Sequence, residues 1–386
     1  MARSILLAAM CAVLTVVPMQ KKEIVTAGPV PIGPFSPAVV AGGLVYVSGM
    51  LAQDEKGAFV GGDVGAQTRH ILERARGVLS AAGSSLDDAV AATVYLKAGS
   101  DFQTMNDAYK TFWQKDPPTR TTVVTGLLLG ADVEISLIAA RKGAARTVIH
   151  PDSWAKSPNP YSYGIRTGDT VFFSGLVPRN ARDNSTVTGD IRVQTKAVMD
   201  NAGELLKAAG LDYSHVVSAR VYLPDASEFQ QMNEVYRSYF TAAPPPARAT
   251  VNAGLTANQY KVEMTFVASS SPREAIAPGQ NLSAAIRSGN RLYLSGVLGN
   301  TGENTGDPTA QTRELMGKIR QTLADAGYTP EDVVDSLVYL TDLAHFPQMN
   351  NVYRDFFRRD FPARATVGVG LVASGAVVEI MMTAVH

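Results

Sequence analysis

One short strand pattern occurs three times in the chain and limits how the rest of it can fold. The pattern is a proline, one small residue and an arginine, and it reads PTRTTVVTG from Pro118, PARATVNAG from Pro246 and PARATVGVG from Pro362. A second strand follows each copy, and its only charged residue lies between apolar neighbours, at Glu134, Glu263 and Glu379. Arginine and glutamate on strands that otherwise resemble a core cost free energy unless they are paired or used for binding. These residues therefore form the candidate site.

The repeated arginines divide the chain into domain-sized units. Arg120, Arg248 and Arg364 lie too far apart for a solenoid repeat, and a chain of 386 residues has room for three units of ordinary domain length. The pattern is interrupted at RKGAAR and again at SSSPRE, which predicts units at 21–142, 143–270 and 271–386. Both joins are short, so we expect the units to pack against each other.

Each unit repeats the same predicted elements in the same order. A strand ending in Ser-Gly leads to an amphipathic helix, expected at about Gly65 to Ala82 in the first unit and Ala310 to Ala326 in the third. In the second unit, Val198, Ala202, Leu205 and Ala209 mark its apolar face before Gly210. A strand, a second helix, the arginine strand and the glutamate strand follow. This order predicts an α+β fold in which two helices cover one face of a mixed sheet.

The second helix carries an aromatic stripe that predicts a buried face. Its members are Phe102, Met105, Tyr109 and Phe112; Phe229, Met232, Tyr236 and Tyr239; and Phe346, Met349, Tyr353 and Phe356. An asparagine recurs beside the stripe, at Asn106, Asn233 and Asn350. It can bond to a neighbouring loop or contact a ligand, and the sequence leaves both readings open.

Residues 1–20 combine an arginine with an apolar run, which is the layout of a secretory signal rather than of a spanning helix. We therefore expect a secreted or periplasmic protein with no spanning domain. A membrane-tethered N-terminus and a misassigned start codon remain alternatives.

The only cysteine, Cys11, lies in this segment, and the five histidines have no ligand spacing, so no metal site is expected. Basic and acidic residues balance at 35 each, which leaves no basic footprint for nucleic acid.

Taken together, each unit resembles the Rid (YjgF-like) family, whose founding activity is the hydrolysis of reactive enamines and imines. The matching pieces are the Ser-Gly strand, the helix containing Phe, Met, Asn and Tyr, the arginine strand and the glutamate strand. The resemblance implies a trimer with ligand clefts between neighbouring subunits. Three fused units would form that trimer within one chain, which predicts a monomer with internal pseudo-threefold symmetry.

The resemblance also implies roles for individual residues. The family's carboxylate-binding arginine corresponds to Arg120, Arg248 and Arg364, and its water-handling glutamate corresponds to Glu134, Glu263 and Glu379. Its serine corresponds to Ser48, Ser174 and Ser295, and a cysteine common in the family is replaced by Thr122, Thr250 and Thr366. The family's early tyrosine is kept as Tyr161 in the second unit but is Phe35 in the first and Leu282 in the third.

Elementary chemistry supports an imine hydrolase. Strand alternation puts Arg120 and Thr122 on one face and Thr121 on the other. A guanidinium can hold the carboxylate of a 2-imino acid through two parallel hydrogen bonds, and a glutamate can deprotonate a water that attacks the imine carbon. The products are a 2-keto acid and ammonia. Because an imine is already reactive, positioning and proton transfer suffice, and no cofactor is expected.

Two other hypotheses stay open on sequence grounds. The chain could be a non-catalytic module that binds small carboxylate metabolites through the same arginines. It could instead be a structural or partner-binding protein in which arginine and glutamate form buried ion pairs between units. An arginine and a glutamate in every unit favour catalysis, whereas Phe35 and Leu282 favour binding or partial loss of activity. Each serine can be a turn hydroxyl or a ligand contact, and the threonines are expected mainly to line the clefts.

Overall fold

A computed structural model describes residues 22–28 and 30–386. The predicted signal segment at residues 1–20, with Cys11, lies outside the described residues. Within the described part of the chain, no helix is both long and apolar enough to cross a membrane.

The helices and strands follow the predicted threefold repeat. The helices are α1 (Val64–Ala81), α2 (Phe102–Tyr109), α3 (Ile191–Ala208), α4 (Phe229–Arg237), α5 (Pro308–Asp325) and α6 (Phe346–Phe357). The strands of the first unit are β1 (Glu23–Val25), β2 (Ala38–Ala41), β3 (Leu44–Met50), β4 (Ala89–Leu96), β5 (Thr119–Val124) and β6 (Val133–Ala140). Those of the second are β7 (Thr147–Ile149), β8 (Gly164–Thr167), β9 (Thr170–Phe173), β10 (Val216–Leu223), β11 (Ala247–Asn252), β12 (Gly254–Leu255) and β13 (Glu263–Ser269). Those of the third are β14 (Arg273–Pro278), β15 (Ser283–Ser288), β16 (Arg291–Leu294), β17 (Val297–Leu298), β18 (Val333–Leu340), β19 (Ala363–Gly368), β20 (Gly370–Leu371) and β21 (Val378–Val385).

Each long helix begins and ends where local chemistry requires it. An aspartate at the N-cap accepts a hydrogen bond from the backbone N–H three residues later, at Asp63, Asp190 and Asp307. A glycine with positive φ lies just beyond each C-terminus, as Gly210 does at φ +70°. The buried face of α3 contains Val198, Ala202 and Leu205, which confirms the predicted periodicity.

The second helices bury most of the predicted aromatic stripe. Met105, Met232 and Met349 are fully buried, as are Tyr109, Tyr236 and Tyr353. Phe112 and Tyr239 lie beyond the ends of α2 and α4, because these two helices are shorter than α6. The stripe is therefore a core face, as predicted, that continues past the helix end in two of the units.

All three sheets are mixed, as expected. The arginine strand pairs in parallel with a central strand, in β4 with β5, β10 with β11 and β18 with β19. The glutamate strand pairs antiparallel with the other side of that central strand. Both helices of a unit pack on one face of its sheet and enclose a separate apolar core. Arginine and glutamate thus flank the same central strand of every unit.

Backbone pairing links each unit to the next. The short strand β12 extends the first unit's sheet by pairing with β5, and β20 extends the second unit's sheet by pairing with β11. Gly126 and Gly368 then exchange two backbone hydrogen bonds of 2.8 Å, which connects the third unit to the first. Between the three sheets lies a cavity of about 110 Å³ whose lining includes Arg220 and Asp335.

Candidate active site

The sequence-predicted residues meet at the boundaries between units. We define the first cleft as the one that holds Arg120, Thr122 and Asn106 of the first unit with Glu263, Ser174 and Tyr161 of the second. The second cleft holds Arg248 of the second unit with Ser295 and Glu379 of the third. The third cleft holds Arg364 and Thr366 of the third unit with Glu134, Ser48 and Phe35 of the first.

Arginine and glutamate of one repeat therefore do not share a cleft. Arg120 faces Glu263 rather than Glu134, because each arginine strand lies against the Ser-Gly segment of the next unit. The arginine and the glutamate are neighbours in the sequence of each repeat, but in the fold each arginine faces the glutamate of the next repeat. The alternation along β5 is as predicted, since Arg120 and Thr122 line the first cleft whereas Thr121 lines the central cavity.

The cleft serines join the units through both hydrogen-bonding roles of their hydroxyl groups. Ser174 Oγ accepts the backbone N–H of Arg120 at 2.8 Å and donates to the carbonyl of Ser162 at 2.7 Å. Ser295 makes the same bonds with Arg248 and Ser283, and Ser48 makes them with Arg364 and Ser36. Each serine thereby fixes the backbone of the arginine strand relative to the neighbouring unit.

The glycine after each serine gives the glutamate room. A Cβ atom at Gly175 would lie 1.9 Å from Glu263 Oε1, and one at Gly49 would lie 1.9 Å from Glu134 Oε1. The corresponding distance from Gly296 to Glu379 Oε1 is 1.8 Å. Any larger residue would therefore displace the carboxyl group, so this close approach explains why a glycine follows each serine.

Aromatic rings surround each guanidinium group. Arg120 lies 4.8 Å from the ring centroid of Tyr109 and 5.7 Å from those of Phe102 and Tyr161. Arg364 lies among Tyr353, Phe346 and Phe35, and Arg248 lies over Tyr236 and Phe229. All three arginines are at most 3% exposed. Cation–π contacts hold the charged groups in place without using their N–H donors.

Several of those donors have no partner in the described part of the protein. The atoms without a hydrogen bond are Nε of Arg120, Nε and Nη1 of Arg248, and Nη1 and Nη2 of Arg364. No carboxylate of the described residues lies within 4.0 Å of the nitrogens of these three side chains. The direct arginine–glutamate ion pairs that a purely structural role would require are therefore not formed. Buried donors without partners are costly, and a ligand carboxylate is an acceptor that would satisfy them.

Burial changes the acid–base properties of the cleft glutamates. It raises the pKa of Glu263 to about 8, against the opposing effects of the Thr122 backbone N–H and the Arg120 charge. Burial likewise raises the pKa of Glu134 and of Glu379 to about 8. It also lowers the pKa of Arg364 to about 10. Each cleft thus contains a carboxyl group that exchanges its proton near neutral pH.

The recurrent asparagines and threonines differ in their hydrogen bonding. Asn106 Oδ1 accepts from Arg120 Nη2 at 2.6 Å, which orients that guanidinium group. Within the described residues, neither side-chain atom of Asn233 has a hydrogen-bond partner, and Oδ1 of Asn350 has none. The hydroxyl groups of Thr250 and Thr366 also lack a partner among the described residues.

The clefts differ at the position of the family's tyrosine. Ser162, Ser36 and Ser283 donate their backbone N–H groups to Pro118, Pro362 and Pro246, respectively, so the residue before each serine occupies the same place in its interface. That residue is Tyr161 in the first cleft, Phe35 in the third and Leu282 in the second. The first cleft therefore combines the tyrosine with an arginine of the first unit and a glutamate of the second.

One cleft residue was missed from the sequence. Arg179 lines the first cleft together with Tyr260. It lies five residues after the cleft serine, where the other repeats have Gln53 and Asn300. The position is not shared by the repeats, so the repeat pattern gives no signal for it. Its signal in the sequence is a charge that only one repeat has.

Comparison with known proteins places this geometry in a family. A family model described as Endoribonuclease L-PSP matches residues 25–141, 154–270 and 272–386. Because these matches cover most of the chain, the protein belongs to this family, which is also known as the YjgF/Rid family. Each unit corresponds to one copy of the family domain.

Individual relatives match about one third of the chain. Protein DfrA of Myxococcus xanthus is 41% identical over 126 residues, which cover 32% of this chain and 95% of that protein. The human 2-iminobutanoate/2-iminopropanoate deaminase is 33% identical over 123 residues, covering 31% of this chain and 89% of that protein. A solved structure, that of the YjgF gene product of E. coli, is 26% identical and covers 32% of this chain and 98% of its own, with a TM-score of 0.31.

Proposed function

We propose that this protein hydrolyses 2-imino acids and enamine acids to 2-keto acids and ammonia in the clefts between its units. The observation that carries the proposal is the pairing, in each cleft, of a buried arginine that has unsatisfied donors with a glutamate whose pKa is about 8. The arginine is suited to the substrate carboxylate, and the glutamate is suited to proton transfer. The names of the human and plant relatives, both deaminases, support the same chemistry.

In the first cleft, Arg120 would bind the substrate carboxylate through the donors that Asn106 leaves free. Phe102 and Tyr161 pack beside that guanidinium group and shield it from water, which strengthens the charged hydrogen bonds. The remainder of the substrate then points toward Glu263, which lines the same cleft. Holding the imine carbon near the base replaces an encounter in solution with a fixed geometry.

Glu263 would act twice in the reaction. Its ionised carboxylate takes a proton from water as the water oxygen attacks the imine carbon, and it passes that proton to the imine nitrogen to give a carbinolamine. The carboxylate then takes the hydroxyl proton of the carbinolamine and delivers it to the nitrogen, so that the C–N bond breaks and ammonia leaves as the carbonyl forms. A pKa near 8 suits both steps, because the group changes its protonation state close to the working pH.

A coupled assay tests the proposal. An amino-acid oxidase generates 2-iminopropanoate from alanine, and the release of the 2-keto acid is timed with and without the protein, with catalase present. We expect the protein to accelerate release and expect the E134Q/E263Q/E379Q variant to abolish that acceleration. An unchanged rate of release with the wild-type protein would reject the catalytic proposal.

A second candidate function is the non-catalytic binding of small carboxylate metabolites. The second cleft favours binding, because Leu282 stands where the tyrosine would lie while two donors of Arg248 have no partner in the described part of the chain. Binding of 2-oxobutanoate by calorimetry, without any acceleration in the coupled assay, would support the binding function over the catalytic one.

A further inference from the structure

The first cleft has a second arginine at its wall. Arg179 lines this cleft with Arg120, Glu263 and Tyr161, and its side chain comes from the same unit as the glutamate. From this arrangement we propose that the first cleft is specific for dicarboxylic substrates, whose distal carboxylate binds Arg179 while the carboxylate next to the imine binds Arg120. The proposal rests on the proposed function and adds a substrate class to it.

Arg179 is held in position but keeps free donors. Its Nε donates to the hydroxyl of Tyr260 at 2.7 Å, and its guanidinium group lies 5.7 Å from the centroid of the same ring. Asn201 donates to its backbone carbonyl at 2.7 Å. Neither Nη1 nor Nη2 has a hydrogen-bond partner among the described residues. A fixed guanidinium group with its two terminal nitrogens available is suited to binding a carboxylate at two points.

The charge balance of the first cleft favours a dianion. Its lining includes two arginines and one acidic residue, Glu263, which is largely protonated at neutral pH because burial raises its pKa to about 8. While Glu263 is protonated, as in the initial binding step, a monocarboxylate would leave one cation uncompensated, whereas a dicarboxylate would neutralise both. The surrounding polar residues, Asn159, Thr256 and Tyr260, match such a substrate better than an apolar side chain.

The third cleft provides the internal contrast. Gln53 occupies the position of Arg179, and the neighbouring lining includes Ile32 and Leu128. The amide of Gln53 donates to the carbonyl of Gly57 at 2.8 Å, so it already has a partner within its own unit. Among the described residues that line that cleft, Arg364 is the one cation. The lining of the third cleft therefore suits a monocarboxylate with an apolar side chain.

Calorimetric titration with the stable keto acids tests the inference without requiring turnover. The probes are 2-oxoglutarate, which has two carboxylates, and 2-oxobutanoate, which has one. We expect one site on the wild-type protein to prefer 2-oxoglutarate at least ~10-fold, a difference of about 1.4 kcal/mol. That preference should weaken as salt is raised. Equal affinities for the two probes would overturn the inference.

Variants taken from the chain's own repeats sharpen the test. R179Q places the third cleft's residue in the first cleft and should remove the preference, whereas R179K, which keeps the charge, should retain part of it. Y260F removes the hydroxyl that orients Arg179 and should weaken the preference. Q53R should create a second site for 2-oxoglutarate. A preference that survives in R179Q would overturn the inference.

The same titrations separate this inference from the proposed function. If the diacid preference depends on Arg179 but no imine is hydrolysed, the catalytic proposal fails while the diacid specificity of the first cleft stands. If monocarboxylic imines are hydrolysed and the preference is absent, the catalytic proposal stands and the specificity fails.

Discussion

The first and third clefts share the contacts that position the arginine and the glutamate, but they differ in other side chains that line them. In both, a serine hydroxyl fixes the arginine strand of one unit to the next, and a glycine makes room for the glutamate. The first cleft adds Tyr161 and Arg179, where the third has Phe35 and Gln53. The serine and glycine contacts are needed at every interface and are kept, whereas the lining side chains have diverged. Under the proposed function, the residues that differ between repeats therefore set the specificity of each cleft.

Fusion of the units is what permits this divergence. In a symmetric trimer of identical chains, every substitution would appear in all three clefts and three times around the central cavity. The cavity shows the consequence, because Arg220 of β10 lies where β4 has Thr93 and β18 has Leu337. Arg220 donates to Thr93 at 3.3 Å. Three arginines around one small cavity would repel one another, whereas a single one is tolerated.

The largest expected effect is the loss of the base. In a protein whose other glutamates are already replaced (E134Q/E379Q), only the first cleft keeps its carboxyl group, and adding E263Q should lower the rate by about 10²- to 10⁴-fold. Glutamine preserves shape and much of the hydrogen bonding, so the unfolding midpoint should stay close to that of the double variant. Steady-state kinetics and urea unfolding measure the two quantities. Full turnover in the triple variant would remove the glutamates from the mechanism.

A smaller effect is expected from R120K in the same E134Q/E379Q background. Lysine keeps the charge but loses the two-point geometry, and a hydrogen bond to a charged group contributes about 1.5–3 kcal/mol. We therefore expect kcat/KM to fall about 10- to 100-fold, mainly through KM. R364K in the same background is the matched control, because the third cleft is already without its base. Equal losses in the two variants would indicate a structural role for both arginines.

The pH profile tests the same carboxyl group in another way. Because burial raises the pKa of Glu263 to about 8 and the base acts when ionised, kcat/KM should rise with pH and level off above about 8.

The free energy of unfolding should instead fall as the pH rises. A raised carboxyl pKa favours the protonated folded protein, so this stabilisation is complete below about pH 4.5 and is lost as the pH rises through about 8. E134Q/E263Q/E379Q should flatten the stability profile, and a slope unchanged in that variant would contradict the assignment.

The oligomeric state is a further prediction. The backbone pairs at each unit boundary are satisfied within one chain, and Gly126 with Gly368 closes the third of them. We therefore expect light scattering at low concentration to give the mass of one chain, which is 41.0 kDa for all 386 residues before any processing. A mass three times larger would show that whole chains trimerise. Export and processing near Lys21 also remain predictions.

Local patterns could be predicted from the sequence because their causes are local. Helical periodicity predicts α1 and α5 within about two residues of their observed limits, and Gly210 marks the end of α3. The pairing of clefts is different, because it depends on contacts between distant segments. Ser48 and Arg364 are separated by 316 residues, and no local signal shows that the serine hydroxyl accepts that backbone N–H. Arg179 escaped prediction for another reason, since it does not recur.

The smallest expected effect concerns the hydroxyl that distinguishes Tyr161 from Phe35. Both rings lie beside the cleft arginine, at 5.7 Å from Arg120 and 5.1 Å from Arg364, so exchanging them changes little packing. One neutral hydrogen bond contributes about 0.5–1.5 kcal/mol, so Y161F should lower kcat/KM of the first cleft by about 10-fold at most. F35Y should raise that of the third cleft by a similar factor, measured in the E263Q/E379Q background that leaves this cleft alone with its base. If neither Y161F nor F35Y has an effect, the hydroxyl is not part of the reaction. The functional difference between the two clefts would then depend on Arg179, which the third cleft replaces with Gln53.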